Sequence, residues 1–169
     1  MGIKEGLLGQ FKEEMANTRK VLERVPEDKF GWKPHPKSGT MIWLAGHVAN
    51  LAGWGAFTLQ SDQLDLMPGG KRMEPPPPPK NRQELLDSFE KSKSETLKAL
   101  EASNDEDFTK PWSLLNNGKN IFTMTKIAVM RGVVLSHMIH HRGQLTVYLR
   151  LNDVPVPALY GPSADEGGF

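Results

Sequence analysis

The sequence predicts an all-α fold in which four helices pack into a bundle. Four segments repeat apolar residues at steps of three and four, which is the period of an amphipathic helix. Proline- and glycine-rich stretches separate these segments, and no alternating pattern is long enough to build a sheet. Without strands, the apolar stripes must be buried against one another. The 169 residues suit one core, and we predict a single domain over residues 1–169.

The first two helices are predicted from about Ile3 to Val25 and from about Thr40 to Gln60. Pro26 ends the first helix, because proline cannot continue one. The second helix carries His47 on the same face as apolar residues, so this face is expected to point inward. The aromatic residues of this helix are interpreted as core packing; they are Trp43, Trp54 and Phe57.

The last two helices are predicted from about Arg82 to Ala102 and from about Thr123 to Asn152. One face of the fourth helix combines apolar residues with two histidines; its members are Ile127, Met130, Val134, His137, His141, Leu145 and Tyr148. The connection before the third helix contains the proline run 75–79. We predict that this run is a polyproline II helix and acts as a stiff spacer.

The composition argues against several classes of function. Lys and Arg total 21 against 20 Asp and Glu, and no dense basic run is present, so nucleic-acid binding is not expected. The chain has no cysteine, so a metal site must use histidine nitrogen or carboxylate oxygen. The N-terminus does not resemble a signal peptide, and no apolar stretch could span a bilayer. We therefore expect a cytoplasmic protein that does not bind membranes.

His137 and His141 have the spacing of two metal ligands on one helix. A helix advances 3.6 residues per turn, so side chains four apart lie one above the other on the same face. Their imidazoles can therefore converge on one ion. His140 is rotated by roughly 60° from this axis and is the weaker candidate. His35 lies in a proline-rich loop and is interpreted as solvated.

His47 is predicted to be the third ligand. It lies in the middle of the second helix on the inward face, where an unpaired imidazole is costly to bury. Three neutral imidazoles suit zinc, nickel, copper or iron, and we predict one divalent ion, zinc, nickel or a similar metal. Three protein ligands leave positions for water or substrate, which is typical of a reactive site. The alternative for each histidine is a hydrogen-bonded core residue.

Two motifs resemble those of the DinB-like superfamily. One is the block His137-Met-Ile-His-His-Arg-Gly-Gln with the later tail motif Tyr160-Gly-Pro-Ser, and the other is Trp43-Leu-Ala-Gly-His47. The resemblance covers essentially the whole chain and implies a four-helix bundle in up-down-down-up order. It also implies a metal held by one histidine of the second helix and two of the fourth, which map onto His47, His137 and His141.

The resemblance implies a class of function as well. Some similar proteins are thiol-dependent transferases or isomerases that use a low-molecular-weight thiol: glutathione, mycothiol or bacillithiol. We therefore expect a metal-dependent enzyme in which an exogenous thiol attacks a small-molecule substrate. A metal-dependent hydrolase is the alternative enzyme, with His140 as its candidate base, since no Asp or Glu adjoins the histidines. The non-enzyme alternative is a stress-related metal-binding protein without turnover.

A homodimer is the expected assembly. The resemblance implies it, because members of the superfamily are often dimers. Gly132 and Gly143 lie in the predicted fourth helix, where glycine costs about 1 kcal/mol relative to alanine. Such positions permit the close approach of another helix, from a second copy or from the first helix of the same chain.

Overall fold

The structure, a computed structural model, describes residues 2–74 and 76–168. Met1, Phe169 and Pro75, the first residue of the predicted polyproline run, lie outside the described residues. Within these ranges, no helix is both long and apolar enough to cross a membrane.

Most secondary structure of the described chain is helical. The helices are α1 (Ile3–Leu22), α2 (Met41–Leu51), α3 (Trp54–Gln60), α4 (Arg82–Ala102), α5 (Lys126–Val129) and α6 (His137–Arg150). A π-helical segment, Met130–Ser136, joins α5 to α6. Helices α1 and α2 each contact both α4 and α6, so the hydrophobic core lies between these four long helices.

The predicted second helix, from about Thr40 to Gln60, is divided into α2 and α3. The break follows from the side chain of Thr96 in α4. Its hydroxyl donates to the carbonyl of Ala52 at 2.6 Å and accepts from the backbone N–H of Ala56 at 2.9 Å. These bonds satisfy backbone groups that a continuous helix would pair internally. A Cβ atom at Gly55 would lie 2.4 Å from Thr96 Cγ2, so glycine is needed for this close approach.

The prediction of an all-α, up-down-down-up four-helix bundle is wrong, because the chain also forms a three-stranded mixed sheet. Strand β1 (Gln63–Asp65) pairs in parallel with β2 (Pro111–Asn116). Strand β2 pairs antiparallel with β3 (Lys119–Thr125). The fold is therefore mainly helical with a small sheet.

The hairpin between β2 and β3 has a local cause that can be read in the sequence. Asn117 and Gly118 have φ angles of 51° and 73°, as in the tight turns that Asn-Gly pairs favour. The carboxylate of Asp65 accepts the backbone N–H of both residues at 2.8 Å, which ties β1 to the turn. Strand β1 is three residues long and pairs with a segment far away in the chain, so no local pattern predicts it.

Candidate metal centre

The structure brings the three predicted histidines together where α2 meets α6. His47 lies in α2, and His137 and His141 lie one turn apart in α6. The Nε2 atom of His137 is 3.5 Å from that of His47 and 2.9 Å from that of His141. All three side chains are half-buried. In the described part of the chain, they form the one group of His, Cys, Asp and Glu residues close enough to hold a metal ion.

The distances between the ring nitrogens fit a shared ion. Two nitrogens that coordinate one tetrahedral zinc at about 2.0–2.1 Å lie roughly 3.3–3.4 Å apart. The two measured separations, 2.9 and 3.5 Å, lie on either side of this value. One ring nitrogen of each histidine lies within 4.8 Å of the others, so small rotations of the rings bring all three nitrogens to distances at which they can share one ion. The donor set of three imidazoles is compatible with zinc, nickel, copper or iron.

The surroundings favour the neutral form of the imidazoles, which is the form that binds a metal. Burial lowers the pKa of His47 to about 4, and repulsion from His141 and His137 adds to the effect. Burial also lowers the pKa of His137, helped by repulsion from His141 and opposed by an interaction with the backbone of Val133. The two rings therefore remain neutral at pH 7.

Two residues that the sequence analysis missed orient the histidine rings. Nδ1 of His141 lies 2.8 Å from Oε1 of Gln144, which can only accept a hydrogen bond. The proton is therefore on Nδ1, and Nε2 keeps its lone pair for a metal. The indole of Trp43 stacks on the ring of His47, with centroids 5.4 Å apart and planes inclined by 13°. Helical spacing could have indicated both, since each lies within one turn of its histidine.

The interpretation of the aromatic residues as core packing is wrong for two of the three. Trp43 is 53% exposed and Phe57 is 44% exposed, whereas Trp54 packs against the core. Trp43 is exposed because it covers His47 and borders the space next to the centre, rather than filling the interior.

The π-helical segment ends directly before His137. A π turn contains more residues than an α turn, so it changes the direction in which all later side chains of the helix point. The segment therefore helps to set the angle at which His137 and His141 face α2. Such segments are frequent at functional sites.

The other two histidines have different surroundings. The side chain of His140 is exposed, and its ring centroid lies 5.0 Å from that of His141 without joining the group of ligand atoms. His35 is exposed, and its Nδ1 accepts the backbone N–H of Lys37 at 3.2 Å.

Two cavities lie beside the centre, and Trp43 contributes to both. The α6 cavity, of about 310 Å³, is lined by Ser38, Gly39, Trp43, Leu44, Gln144, Val147 and Tyr148. The second cavity, of about 140 Å³, is lined by His47, its α2 neighbours Ile42, Trp43, Gly46 and Asn50, and the prolines at 76–79. We call it the strap cavity, because these four prolines form one of its walls beside α2. The strap cavity therefore opens directly at His47, whereas the α6 cavity reaches the centre through Trp43 and Gln144, which contact His47 and His141.

The residue after His141 belongs to a closed polar cluster, which we call the Arg142 cluster: Glu14, Thr18, Arg142 and Tyr160. Arg142 is 1% exposed, and its guanidinium donates to the Glu14 carboxylate at 2.7 Å and to Thr18 Oγ1 at 3.1 Å. The Tyr160 hydroxyl contacts the guanidinium and donates to the same carboxylate at 2.6 Å. The cluster explains why the His137 block and the Tyr160 tail motif occur together, because it fastens α6 and the tail to α1.

The fold and the site define a mainly helical protein with a three-histidine centre between two helices. The chain matches the DinB superfamily over residues 10–145 and belongs to this superfamily. Known structures of two DinB-like proteins are similar. One, from Bacillus cereus, is 23% identical, with a TM-score of 0.70 over 92% of this chain and 97% of that one. The other, from Bacillus subtilis, is 19% identical, with a TM-score of 0.69 over 91% and 97%.

At these identities, the structural similarity supports the fold alone. No curated protein matches the chain. Any more specific statement about function must therefore come from the histidine centre itself.

Proposed function

We propose that His47, His137 and His141 bind one divalent metal ion and that the protein is a thiol-transferase-type enzyme acting on a small molecule. The observation that carries this proposal is the convergence of three ring nitrogens beside the strap cavity, which His47 lines. A bound divalent ion would lower the pKa of a coordinating thiol and supply a thiolate at neutral pH. The chain has no cysteine, so the thiol comes from a separate low-molecular-weight cofactor.

The residues of the chain have distinct parts in such a reaction. The three histidines provide the ligands, and Gln144 holds His141 in the required tautomer. Trp43 and Gln144 line the α6 cavity, whose volume of about 310 Å³ suits a thiol of tripeptide size. In the transfer, a bond forms between sulfur and a substrate carbon while the bond from that carbon to its leaving group breaks. The proton of the thiol balances the charge of the leaving group.

A metal-dependent hydrolase is the second candidate, and His140 is the observation that favours it. A hydrolase needs a base within one water of the attacking oxygen. The ring of His140 lies beside that of His141, with centroids 5.0 Å apart. Within the described residues, no carboxylate belongs to the ligand group, which leaves His140 as the candidate base. Hydrolysis of an activated ester by the zinc-loaded protein without thiol, lost in His140→Ala, would favour this function.

The thiol-transferase proposal is tested by metal content and turnover together. We expect one divalent ion per chain after dialysis, and product from at least one of glutathione, mycothiol or bacillithiol with chloroacetamide as the electrophile. Activity should disappear with a chelator and return with the metal. His141→Ala is the matched control. A metal-loaded protein that is inactive with all three thiols would instead support the non-catalytic, stress-related metal-binding protein.

The metal is proposed to serve catalysis rather than folding. The apolar side chains between four long helices already form a core, unlike a zinc finger, which unfolds without its metal. Removing the metal should therefore leave the helical circular dichroism signal intact and lower the melting temperature only through the binding linkage. Loss of the helical signal at room temperature would mean that the metal is structural and would contradict this role.

We further propose that the protein is a cytoplasmic homodimer, with the exposed face of α6 in the interface. Among the described residues, nothing lies within 4 Å of a Cβ built at Gly132 or Gly143, so neither glycine serves packing within the chain. On the same face, Val147 is 56% exposed and Leu151 is 57% exposed. Sedimentation equilibrium should give a dimer that Val147→Glu dissociates. A species of 18.9 kDa alone at micromolar concentration would contradict the proposal.

A further inference from the structure

The prolines at 76–79, which we call the proline strap, form a wall of a cavity at the histidine centre. The strap cavity contains His47 together with all four prolines of the strap. The run was predicted to be a spacer between helices, but its position gives it a second role as part of a site. The wall that it forms is apolar and without N–H donors, because proline has no backbone N–H.

A glycine allows the strap to lie close to α2. A Cβ atom at Gly46 would be 3.3 Å from Cδ of Pro79, which is tighter than an ordinary contact. Gly46 directly precedes His47, so the strap approaches the helix at the level of the histidine centre. Any larger residue at this position would push the strap outward or narrow the cavity.

Asn50 is the polar group of the strap cavity, apart from His47. It lies one turn after His47 in α2. The hydroxyl of Ser88 in α4 donates to Asn50 Oδ1 at 3.4 Å, which orients the amide and leaves its N–H donors for a ligand. A further cavity of about 310 Å³ shares Gly46, Asn50 and the strap and extends toward Lys80, Glu84 and Ser88. The space at Asn50 is therefore open to a ligand from outside.

We propose that the strap cavity binds the electrophilic substrate, and that this substrate is a small uncharged compound whose carbonyl oxygen accepts a hydrogen bond from Asn50. This assignment rests on the proposed thiol-transferase function, which needs one site for the thiol and one for the second substrate. The volume of about 140 Å³ limits the group that enters to a few carbon atoms. Among the described residues, the lining of this cavity contains no Lys, Arg, Asp or Glu side chain, so its side chains supply no charge to pair with a charged ligand.

The positions of the two cavities support this division of roles. The α6 cavity is the larger and borders His141 through Gln144, whereas the strap cavity borders His47. Trp43 lines both cavities and stacks on His47. Two reactants bound on either side of Trp43 would therefore both lie next to the histidine centre.

Succinimide is a suitable probe, because it is small, uncharged and carries two carbonyl groups without being an electrophile toward thiols. We expect it to shift the signals of the Asn50 side-chain amide and the Trp43 indole N–H in the ¹H–¹⁵N spectrum of the zinc-loaded protein. Pyrrolidinium has the same ring size but a positive charge and no carbonyl group, cannot coordinate the metal, and should not bind at this site. Asn50→Leu, which keeps the volume and removes the donors, should weaken succinimide binding about tenfold. Gly46→Ala should weaken it as well.

Val147→Ala is the matched control. Val147 lines the α6 cavity but not the strap cavity, so this substitution should leave succinimide binding unchanged. Each variant is compared only when its spectrum keeps the dispersion of the folded protein. Shifts that appear at Tyr148 and Gln144 instead of Asn50, equal binding of pyrrolidinium, or unchanged affinity in Asn50→Leu would each overturn the assignment. Because binding is read without turnover, these results are independent of whether any thiol is transferred.

Discussion

Helix α6 carries two polar clusters on consecutive residues, and they use their hydrogen-bonding capacity in different ways. At His141, three half-buried imidazoles face one another with few other partners, and the strap cavity opens at His47. At Arg142, a guanidinium that is 1% exposed is surrounded by a carboxylate, a hydroxyl and a backbone carbonyl. In the described residues, no buried side-chain nitrogen or oxygen lacks a hydrogen-bond partner.

This contrast shows how one helix can combine stability with a reactive site. Charges in the Arg142 cluster are paired and hydrogen-bonded, which is the condition under which buried ions are tolerated. In the histidine centre, the Nε2 atom of His137 faces those of His47 and His141, an arrangement that a bound cation would stabilise. The rigid cluster holds α6 against α1 and so supports the position of the neighbouring histidines. Substitutions in the Arg142 cluster should therefore lower stability, whereas substitutions in the histidine centre should abolish metal binding.

The largest expected effect is the complete loss of stoichiometric metal binding when any one of the three ligands is removed. His47→Ala, His137→Ala and His141→Ala each leave two imidazoles, which hold a divalent ion weakly. His140→Ala should keep one ion per chain, because this side chain lies outside the ligand group. Metal content after dialysis is the measurement. Full occupancy in His47→Ala would show that α2 contributes no ligand.

A large loss of stability is expected when a charge is removed from the Arg142 cluster. Arg142→Met leaves the buried carboxylate of Glu14 without its partner and should lower the free energy of unfolding by about 3–5 kcal/mol. Urea denaturation measures this. In the double variant Glu14→Leu with Arg142→Met, both charges are absent, and most of the stability should return. If the single and double variants were equally destabilised, the cost would come from packing rather than from the unpaired charge.

A smaller effect is expected from Gln144, which touches the metal centre only through His141. Gln144→Ala should reduce metal affinity by about 10–100-fold, the range observed when a residue that orients a metal ligand is removed. Gln144→Glu keeps an acceptor for the Nδ1 proton and should restore the affinity. Titration against a competing chelator would measure both variants. Equal loss in the two variants would argue that the hydrogen bond does not orient His141.

The smallest effect concerns the pH dependence of the metal-free protein. Burial lowers the pKa of His47 from 6.5 to about 4, so between these values the unfolded chain takes up a proton that the folded chain does not. The contribution of His47 to stability is therefore complete above pH 6.5 and is lost as the pH falls toward 4. His47→Gln should show a weaker decline of the melting temperature over this range. Parallel curves for both proteins would contradict the shifted pKa.

The sequence contained enough information to predict helix α4 and to select the three histidines that the structure brings together. Helix α4 extends over Arg82–Ala102, as predicted, because its apolar spacing and its cap at Asn81 are local features. The spacing of His137 and His141 predicted that both lie on one face of α6, since side chains four residues apart in a helix lie one above the other. The inward position of His47 followed from its apolar neighbours. That the three rings hold a metal stays a prediction.

Other features could not be predicted because they depend on contacts between distant segments. The parallel pairing of β1 with β2 brings together segments far apart in the chain, and the division of the second helix requires the Thr96 hydroxyl of α4. The contact between the strap and Gly46 depends on the packing of α2 against α4. Helical periodicity reports which residues share a face, because it arises from local backbone geometry. Which surfaces then meet at that face depends on tertiary packing, and this alone brought α6 and the proline strap to His47.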